Sequence, residues 1–399
     1  MSMEVLTQLL GLPHVVVLNF ELPNDPTILL DVEIQTPVAM CPTCHHLSTV
    51  LHSYARPRTV RDLDVWGRPC YLHFRPRQFE CDTCHNTFIE PLAWLDPYQH
   101  QTQRLEMRVY DLARRTNVAE SARYHGLSDE RTESIFLREA QRQVTARGYP
   151  LVDELHVDEI AEHKGHGNYL LVLSSPTVGV LDVLENRLKE TFEAWLDARG
   201  PAWCAAVHQF HADMWAPYHE VARAKLPNVK VTTADHFHVI QNLNDALSNT
   251  RRAIQREANE VVRSQLKGCR WLLVKNREKL TDTDREQLTT VGQASPDLKA
   301  CYELKEDFRA IYTLTNLDEA ADRLTQWLEQ AHQVKLTAIQ MFVKTVENWR
   351  EHILSFFEGR GSNGFAEGVN NKIKLIKRRA YGCPNFQHFR LRILVAFES

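Results

Sequence analysis

Two Cys-x-x-Cys pairs, Cys41/Cys44 and Cys81/Cys84, restrict the folds open to this chain more than any other feature. Each pair makes a tight knuckle that can offer two thiolates to one ion. The 36 residues between the pairs read as strands, with Val60, Leu63 and Val65 before Gly67 and Tyr71, His73 and Phe79 after it. Two knuckles on a small β-sheet build a tetrahedral zinc ribbon, in which the metal stands in for a core the segment is too short to supply. A redox dithiol needs one such pair and leaves the second unexplained. His45 and His85 follow the knuckles directly, but four thiolates already complete the shell, so the zinc is read as structural. Cys70, Cys204, Cys269, Cys301 and Cys383 lie in apolar or mixed sequence and read as free thiols of a reducing compartment.

At 399 residues the chain has room for several domains. No stretch approaches the ~18 uncharged apolar residues of a membrane span, and the N-terminus lacks a basic leader, so a cytoplasmic protein without membrane partners is expected. The net charge of −4 argues mildly against wholesale nucleic-acid binding. Local balances differ. Residues 360–392 carry Arg360, Lys372, Lys374, Lys377, Arg378, Arg379, Arg390 and Arg392 against Glu367 alone, and residues 56–77 carry Arg56, Arg58, Arg61, Arg68, Arg75 and Arg77 against Asp62 and Asp64. Such patches can hold a polyanion inside an acidic chain; the plainer alternative is a solvated basic face.

In chain order, residues 1–35 form an N-terminal segment with a strand through 28–34, and the ribbon occupies 36–92. Residues 99–148 are helical: Leu105, Val109 and Leu112 mark one helix, followed by a short helix, a turn at Gly126 and a longer helix from near Ser128. This is helix-turn-helix spacing, with Arg131, Arg138 and Arg142 as exposed donors for DNA; a plain helical hairpin is the alternative.

From Glu154 to Asp182 the pattern is that of a three-stranded meander, whose first strand places Asp158 in an apolar run. A carboxylate there requires a metal ion, a lysine or arginine, or backbone donors. Glu159, its neighbour, points the other way in a regular strand. A helix near 187–198, a fourth strand over 205–210 leading to Asp213, another helix and a fifth strand over 228–233 leading to Asp235 complete a mixed sheet of the ribonuclease-H-like kind. Adjacent parallel strands bring such acids to one edge. Residues 239–347 then change to amphipathic helices, with Trp271, Trp327 and Trp349 read as core or interface aromatics. A final helix, expected to begin near Ser362 or Asn363, carries Glu367, which is either an ion-pair partner or a metal ligand.

The double-knuckle ribbon, the helix-turn-helix segment, and the blocks DEIAEHKGH, ADHFHV and NGFAEGVNNKIK together closely resemble the ISL3 family of bacterial insertion-sequence transposases, from about Cys41 to Phe397. The resemblance implies a multidomain α+β chain: zinc ribbon, helix-turn-helix, and a ribonuclease-H-like α/β catalytic domain in two parts, 151–238 and 348–399, interrupted by a helical insertion over 239–347. It implies a DDE transposase in which Asp158, Asp213 and Glu367 match the catalytic, Mg²⁺-binding triad, and Asp235 and His238 match an Asp-x-x-His element that supports it. Strand order favours Asp213 over Asp235 as second ligand.

Three carboxylates can hold two divalent ions for phosphodiester cleavage and exchange, with Mg²⁺ preferred and Mn²⁺ a possible substitute. The expected partners are double-stranded DNA, namely the terminal inverted repeats and the target, with the chain acting as a homo-oligomer on the nucleoid. Arg56, Arg58, Arg75, Arg77, Arg131, Arg138, Arg142, Lys372, Lys374, Lys377, Arg378 and Arg379 are the expected DNA contacts. A transcriptional regulator without catalysis and a stand-alone nuclease are the competing readings; strand transfer separates the second from a transposase, and metal-dependent cutting counts against the first.

Overall fold

The computed structural model describes residues 2–23, 26–161, 169–234, 236–359, 364–380 and 385–397. The chain divides into two compact units, Met1–Ala146 and Arg147–Ser399.

In the first unit, α1 (Met3–Leu10) is capped by the Ser2 hydroxyl and ends at Gly11 with φ 60°. Strands β1 (Val15–Glu21), β2 (Ile28–Ile34), β3 (Ala39–Met40), β4 (Leu47–Ser48), β5 (Val50–Tyr54), β6 (Arg58–Val65), β7 (Arg68–Phe74), β8 (Arg77–Glu80) and β9 (Thr87–Ile89) follow. They form a four-stranded sheet, β1-β2-β7-β6, a three-stranded sheet, β5-β8-β9, and the short β3-β4 ladder. The β6–β7 hairpin turns on Trp66 and Gly67, both at positive φ (52° and 74°), the handedness a two-residue hairpin needs. Alternation along β2 and β7 buries Ile28, Leu30, Val32, Leu72 and Phe74 in one core. Because β2 pairs with β7, the expected division at residue 35 passes between strands of one sheet.

Helices α2 (Gln103–Arg115), α3 (Val118–His125) and α4 (Asp129–Arg147) complete the region. Thr102 and Asn117 cap the first two, Gly126 at φ 62° stops α3, and the Ser128 hydroxyl accepts from Arg131 N–H at 3.2 Å to start α4. Leu105, Val109 and Ile135 close a small core against Leu63 and Leu127. The expected helix-turn-helix is present.

The second unit opens with β10 (Glu154–Ala161), β11 (Tyr169–Ser175) and β12 (Gly179–Leu184), then α5 (Lys189–Arg199), α6 (Pro201–Ala205), β13 (Gln209–Ala212), α7 (Ala216–Lys225) and β14 (Val231–Ala234). The sheet order is β12-β11-β10-β13-β14, antiparallel on the β11 side of β10 and parallel from β10 through β13 to β14. The fourth strand is shorter than its apolar run suggested. Pro201 instead initiates a helical turn that buries Trp203 and Cys204, and pairing starts only at Gln209.

A helical body follows: α8 (His236–Glu257), α9 (Glu260–Gln265), α10 (Arg270–Val274), α11 (Asp282–Ala294), α12 (Pro296–Ile311), α13 (Leu317–Gln333), α14 (Thr337–Asn348), α15 (Arg350–Leu354) and α16 (Phe356–Gly359). Its core joins Leu243, Leu298, Phe308, Trp327 and Phe342 and reaches Ile353 and Phe357, past the expected end at residue 347. Lys305, fully buried, donates from Nζ to the carbonyls of Leu273 and Lys275 (both 2.9 Å) and meets Glu306 at 2.7 Å. Trp327 is a core residue, whereas Trp271 is 71% exposed.

The chain returns to the sheet through α17 (Gly364–Arg379) and α18 (Phe386–Ala396). Arg390 of α18 pairs with the buried Asp182 of β12 at 2.6 Å. The expected start of α17 at Ser362 or Asn363 lies outside the described residues.

Candidate active site

The four knuckle thiols converge, Cys41 Sγ lying 3.7 Å from Cys84 Sγ and Cys44 Sγ 3.4 Å from Cys81 Sγ. The two hairpins repeat one pattern. His45 N–H donates to Cys41 C=O and His85 N–H to Cys81 C=O, with both histidines at positive φ. The backbone N–H of Cys44 holds the Cys41 thiol down to about 6, and that of Cys84 lowers Cys81 likewise. Four sulfurs within 4.8 Å, two already favoured as thiolates, fit zinc. The histidines stand outside this set, and the His85 side chain is 78% exposed.

In the second unit Val157 of β10 pairs with Ala212 of β13, and Ala212 pairs with Ala234 of β14. Asp158 and Asp213 come next along their strands, so the parallel register sets both at the same end of the sheet. The Asp158 carboxylate accepts from its neighbour Glu159 N–H and from Asn370 Nδ2 of α17, each at 2.7 Å. Asp213 accepts from Met214 N–H at 2.6 Å, and His238 Nδ1 lies 3.5 Å from it. A cleft of ≈10 Å³, about the size of one water, is lined by His156, Val157, Asp158, His211, Ala212, Asp213 and, from α17, Ala366.

Glu367 follows Ala366 on that helix and is exposed. Asp158, Asp213 and Glu367 do not bring their oxygens within 4.8 Å of one another. Asp235 lies outside the described residues. Glu159 faces away, bonded to Tyr218 Oη at 3.0 Å and Arg187 at 2.9 Å.

One register step back on the same face, Glu154, His156 and His211 bring ligand atoms within 4.8 Å of one another. His156 Nε2 is 2.7 Å and His211 Nε2 3.2 Å from Glu154 Oε1, and the two rings stack with centroids 4.5 Å apart. Hydrogen bonding to both imidazoles holds the Glu154 carboxyl far below the usual carboxylate range. Two imidazoles and a carboxylate can hold a divalent metal. With the aspartates, this face presents five possible ligands in two layers. The signal for the lower layer was period two: Glu154, His156 and Asp158 alternate on one strand and His211 and Asp213 on the next.

Several of the basic residues act as struts. Arg77 is held by Glu90 (2.5 Å), Arg58 by the Gln99 carbonyl, Arg138 by Glu106 (2.5 Å) and Arg142 by Asp96. Arg138 and Arg142, expected as donors to DNA, both pair with acids of their own unit, and the Arg142 side chain stays 48% exposed. Arg56 and Arg75 are exposed. On α17, Lys374 and Arg378 are exposed, Lys372 lies over the Phe397 ring at 4.2 Å, Lys377 donates to Ala161 C=O at 3.2 Å, and Arg379 is exposed.

A zinc ribbon, a helix-turn-helix and a β12-β11-β10-β13-β14 sheet with one acid within β10 and another just past β13 define a DNA-rearranging nuclease of the DDE class. The family assignment agrees. Residues 155–393 match the ISL3 family model described as transposase, residues 37–84 the zinc-finger of transposase IS204/IS1001/IS1096/IS1165, and residues 90–140 the helix-turn-helix domain of transposase family ISL3; the chain belongs to the ISL3 family of DDE transposases. It is 28% identical over 384 residues to the transposase for insertion sequence element IS1001 of Bordetella parapertussis, covering 95% of this chain and 94% of that protein. It is 24% identical over 370 residues to the transposase for insertion sequence element IS1557 of Mycobacterium tuberculosis, covering 86% and 82%. It is thus a metal-dependent enzyme acting on insertion-sequence DNA, with a structural zinc site of four cysteines. No helix among the described residues is long and apolar enough to cross a membrane.

Proposed function

We propose that Asp158, Asp213 and Glu367 hold the divalent ions, preferably Mg²⁺, with which this transposase cuts the terminal inverted repeats of its element and joins them to target DNA. The observation that carries the assignment is the cleft shared by Asp158, Asp213 and Ala366, which sets the first turns of α17 against two aspartates on adjacent parallel strands. Asp158, Asp213 and Glu367 would hold such ions, which would supply activation of a water or a 3′-hydroxyl and charge stabilisation of the leaving oxygen. Asn370 fixes the Asp158 carboxylate, and His238 stands beside Asp213. Asp235 remains the rival second ligand.

The work divides along the chain. The ribbon (36–92) and helix-turn-helix (99–148) select the repeat, the two catalytic segments (151–238 and 348–399) carry the chemistry, and the exposed cations of α17 hold the backbone nearby. The chain works as an oligomer on nucleoid DNA, because two ends must be joined in one event.

The test is incubation of the purified chain with Mg²⁺, duplexes ending in the element's own repeats, and a circular target. Joined products with the repeats at the junction support the proposal. Metal-dependent cutting without joining would reduce the chain to a nuclease.

A further inference from the structure

The far end of α8 is a basic surface that the proposed recognition elements do not use. Residues 251–279 contain nine lysines and arginines against Glu257, Glu260 and Glu278. The α9–α10 segment folds back on α8, and the two helices pack on it. Some cations are internal. Arg263 donates to the carbonyls of Gln255 and Ala258 at the end of α8, and Lys275 pairs with Asp284. Arg252, Arg256, Lys267, Arg270 and Lys279 are exposed and have no carboxylate partner among the described residues.

Amid them stands Trp271, 71% exposed, with the Arg270 guanidinium 4.8 Å from its ring centroid. An exposed indole within a basic surface loses nothing by facing a polyanion. It orders the guanidinium by cation–π attraction and offers an apolar plate to sugar or base edges.

We infer that this α8–α10 surface is a second DNA-binding site, which grips the duplex phosphates a fixed distance from the bond being cut. The inference rests on the proposed active site, because α8 serves as the ruler. Its first turn carries His238, 3.5 Å from Asp213. From there to Arg256 the helix runs about 27 Å at its 1.5 Å rise per residue. A duplex lying alongside spans that length in about 8 base pairs at 3.4 Å each. Charge complementarity selects DNA over a protein occupant, since the surface is basic in a chain whose net charge is −4.

The experiment uses the full chain and a duplex spanning one end of the encoding element with its flank. Hydroxyl-radical footprints are compared for wild type and the K267A/R270A/W271A variant, alongside binding across a salt series. The wild type should protect a patch about 8 base pairs from the cleavage site. The variant should lose that patch alone, bind roughly tenfold more weakly, and show a salt slope shallower by about 2. R270E on its own, a surface change, covers the case in which the triple variant fails to fold.

An unchanged footprint and slope would overturn the inference. So would a variant that alters only the sedimentation of DNA-free protein, because the surface would then join copies of the chain. If wild type ignores the element end altogether, the proposed function fails. The surface is then judged on random duplex, where an equal slope for wild type and variant removes it as well.

Discussion

Asn370 of α17 donates a 2.7 Å hydrogen bond to Asp158 of β10, a contact spanning 212 residues of sequence. That bond fastens α17 to the catalytic strand after the chain has built the whole helical body between them. It aims one carboxylate oxygen, and Glu367 lies one turn earlier on α17, next to Ala366 of the cleft. N370A should therefore lower cleavage by about 10–100-fold, as loss of a group that orients a metal ligand does, with repeat binding unchanged. N370D places a second anion against Asp158, so its cleavage should recover as Mg²⁺ is raised. A Mg²⁺ titration of cleavage rate checks both; a curve for N370D identical to that of N370A would show that charge at this position is irrelevant.

The choice of second ligand is tested by removing one charge at a time. D213N should fold, bind the repeat and lose cleavage by a factor of about 10³ or more. D235N should retain measurable cleavage. A dead D235N beside a fully active D213N would transfer the role to Asp235.

Zinc should be present at one ion per chain and should mask four thiols. In the native protein, burial pushes the Cys70 and Cys301 thiols up to about 12, so neither reacts near pH 8. Chelation should expose Cys41, Cys44, Cys81 and Cys84 to a thiol reagent while those two stay silent. Reagent counts before and after chelation that differ by fewer than four would contradict a four-cysteine site.

Arg390 should matter for stability, although it belongs to the basic C-terminal run. Burial alone would raise the Asp182 pKa, but Arg390, helped by Tyr149 and Trp195, outweighs it and holds the group below its ordinary 3.8. Its folded pKa is thus depressed, so the stability it contributes is full above pH 3.8 and drains away as pH falls further. R390A leaves a buried carboxylate unpaired and should cost about 3–5 kcal/mol at neutral pH. The loss should shrink toward pH 4, where Asp182 in the variant takes up a proton. Thermal melts of both proteins across this range give the comparison, and an equal loss at every pH would show that the pair is not electrostatic.

Much of the catalytic sheet was legible because strand alternation, helix periodicity and the acids ending apolar runs are local signals. The zinc ligands were legible for the same reason, since each knuckle is four residues long. What the sequence hid was long-range pairing. The union of β2 with β7 depends on partners 42 residues apart that no local pattern marks. Whether an arginine is a free donor or a strut depends on where its acid lies: Arg77 finds Glu90 and Arg138 finds Glu106 only once the chain has folded. The Glu154–His156–His211 layer needed the β10–β13 register before its two strands could be read together. Trp271, taken with Trp327 as an ordinary aromatic, separates from it only through burial.

The central claim is that acids from β10 and from α17 share one metal site, and the most direct measurement is Mg²⁺-dependent cleavage of a terminal-repeat duplex by D158N and E367Q. Both variants keep side-chain size and remove charge. Each should bind the repeat within about twofold of wild type and cleave at least about 10³-fold more slowly, the loss expected when a two-metal centre is missing a ligand. Full cleavage by D158N, or by a folded E367Q, would contradict the shared site.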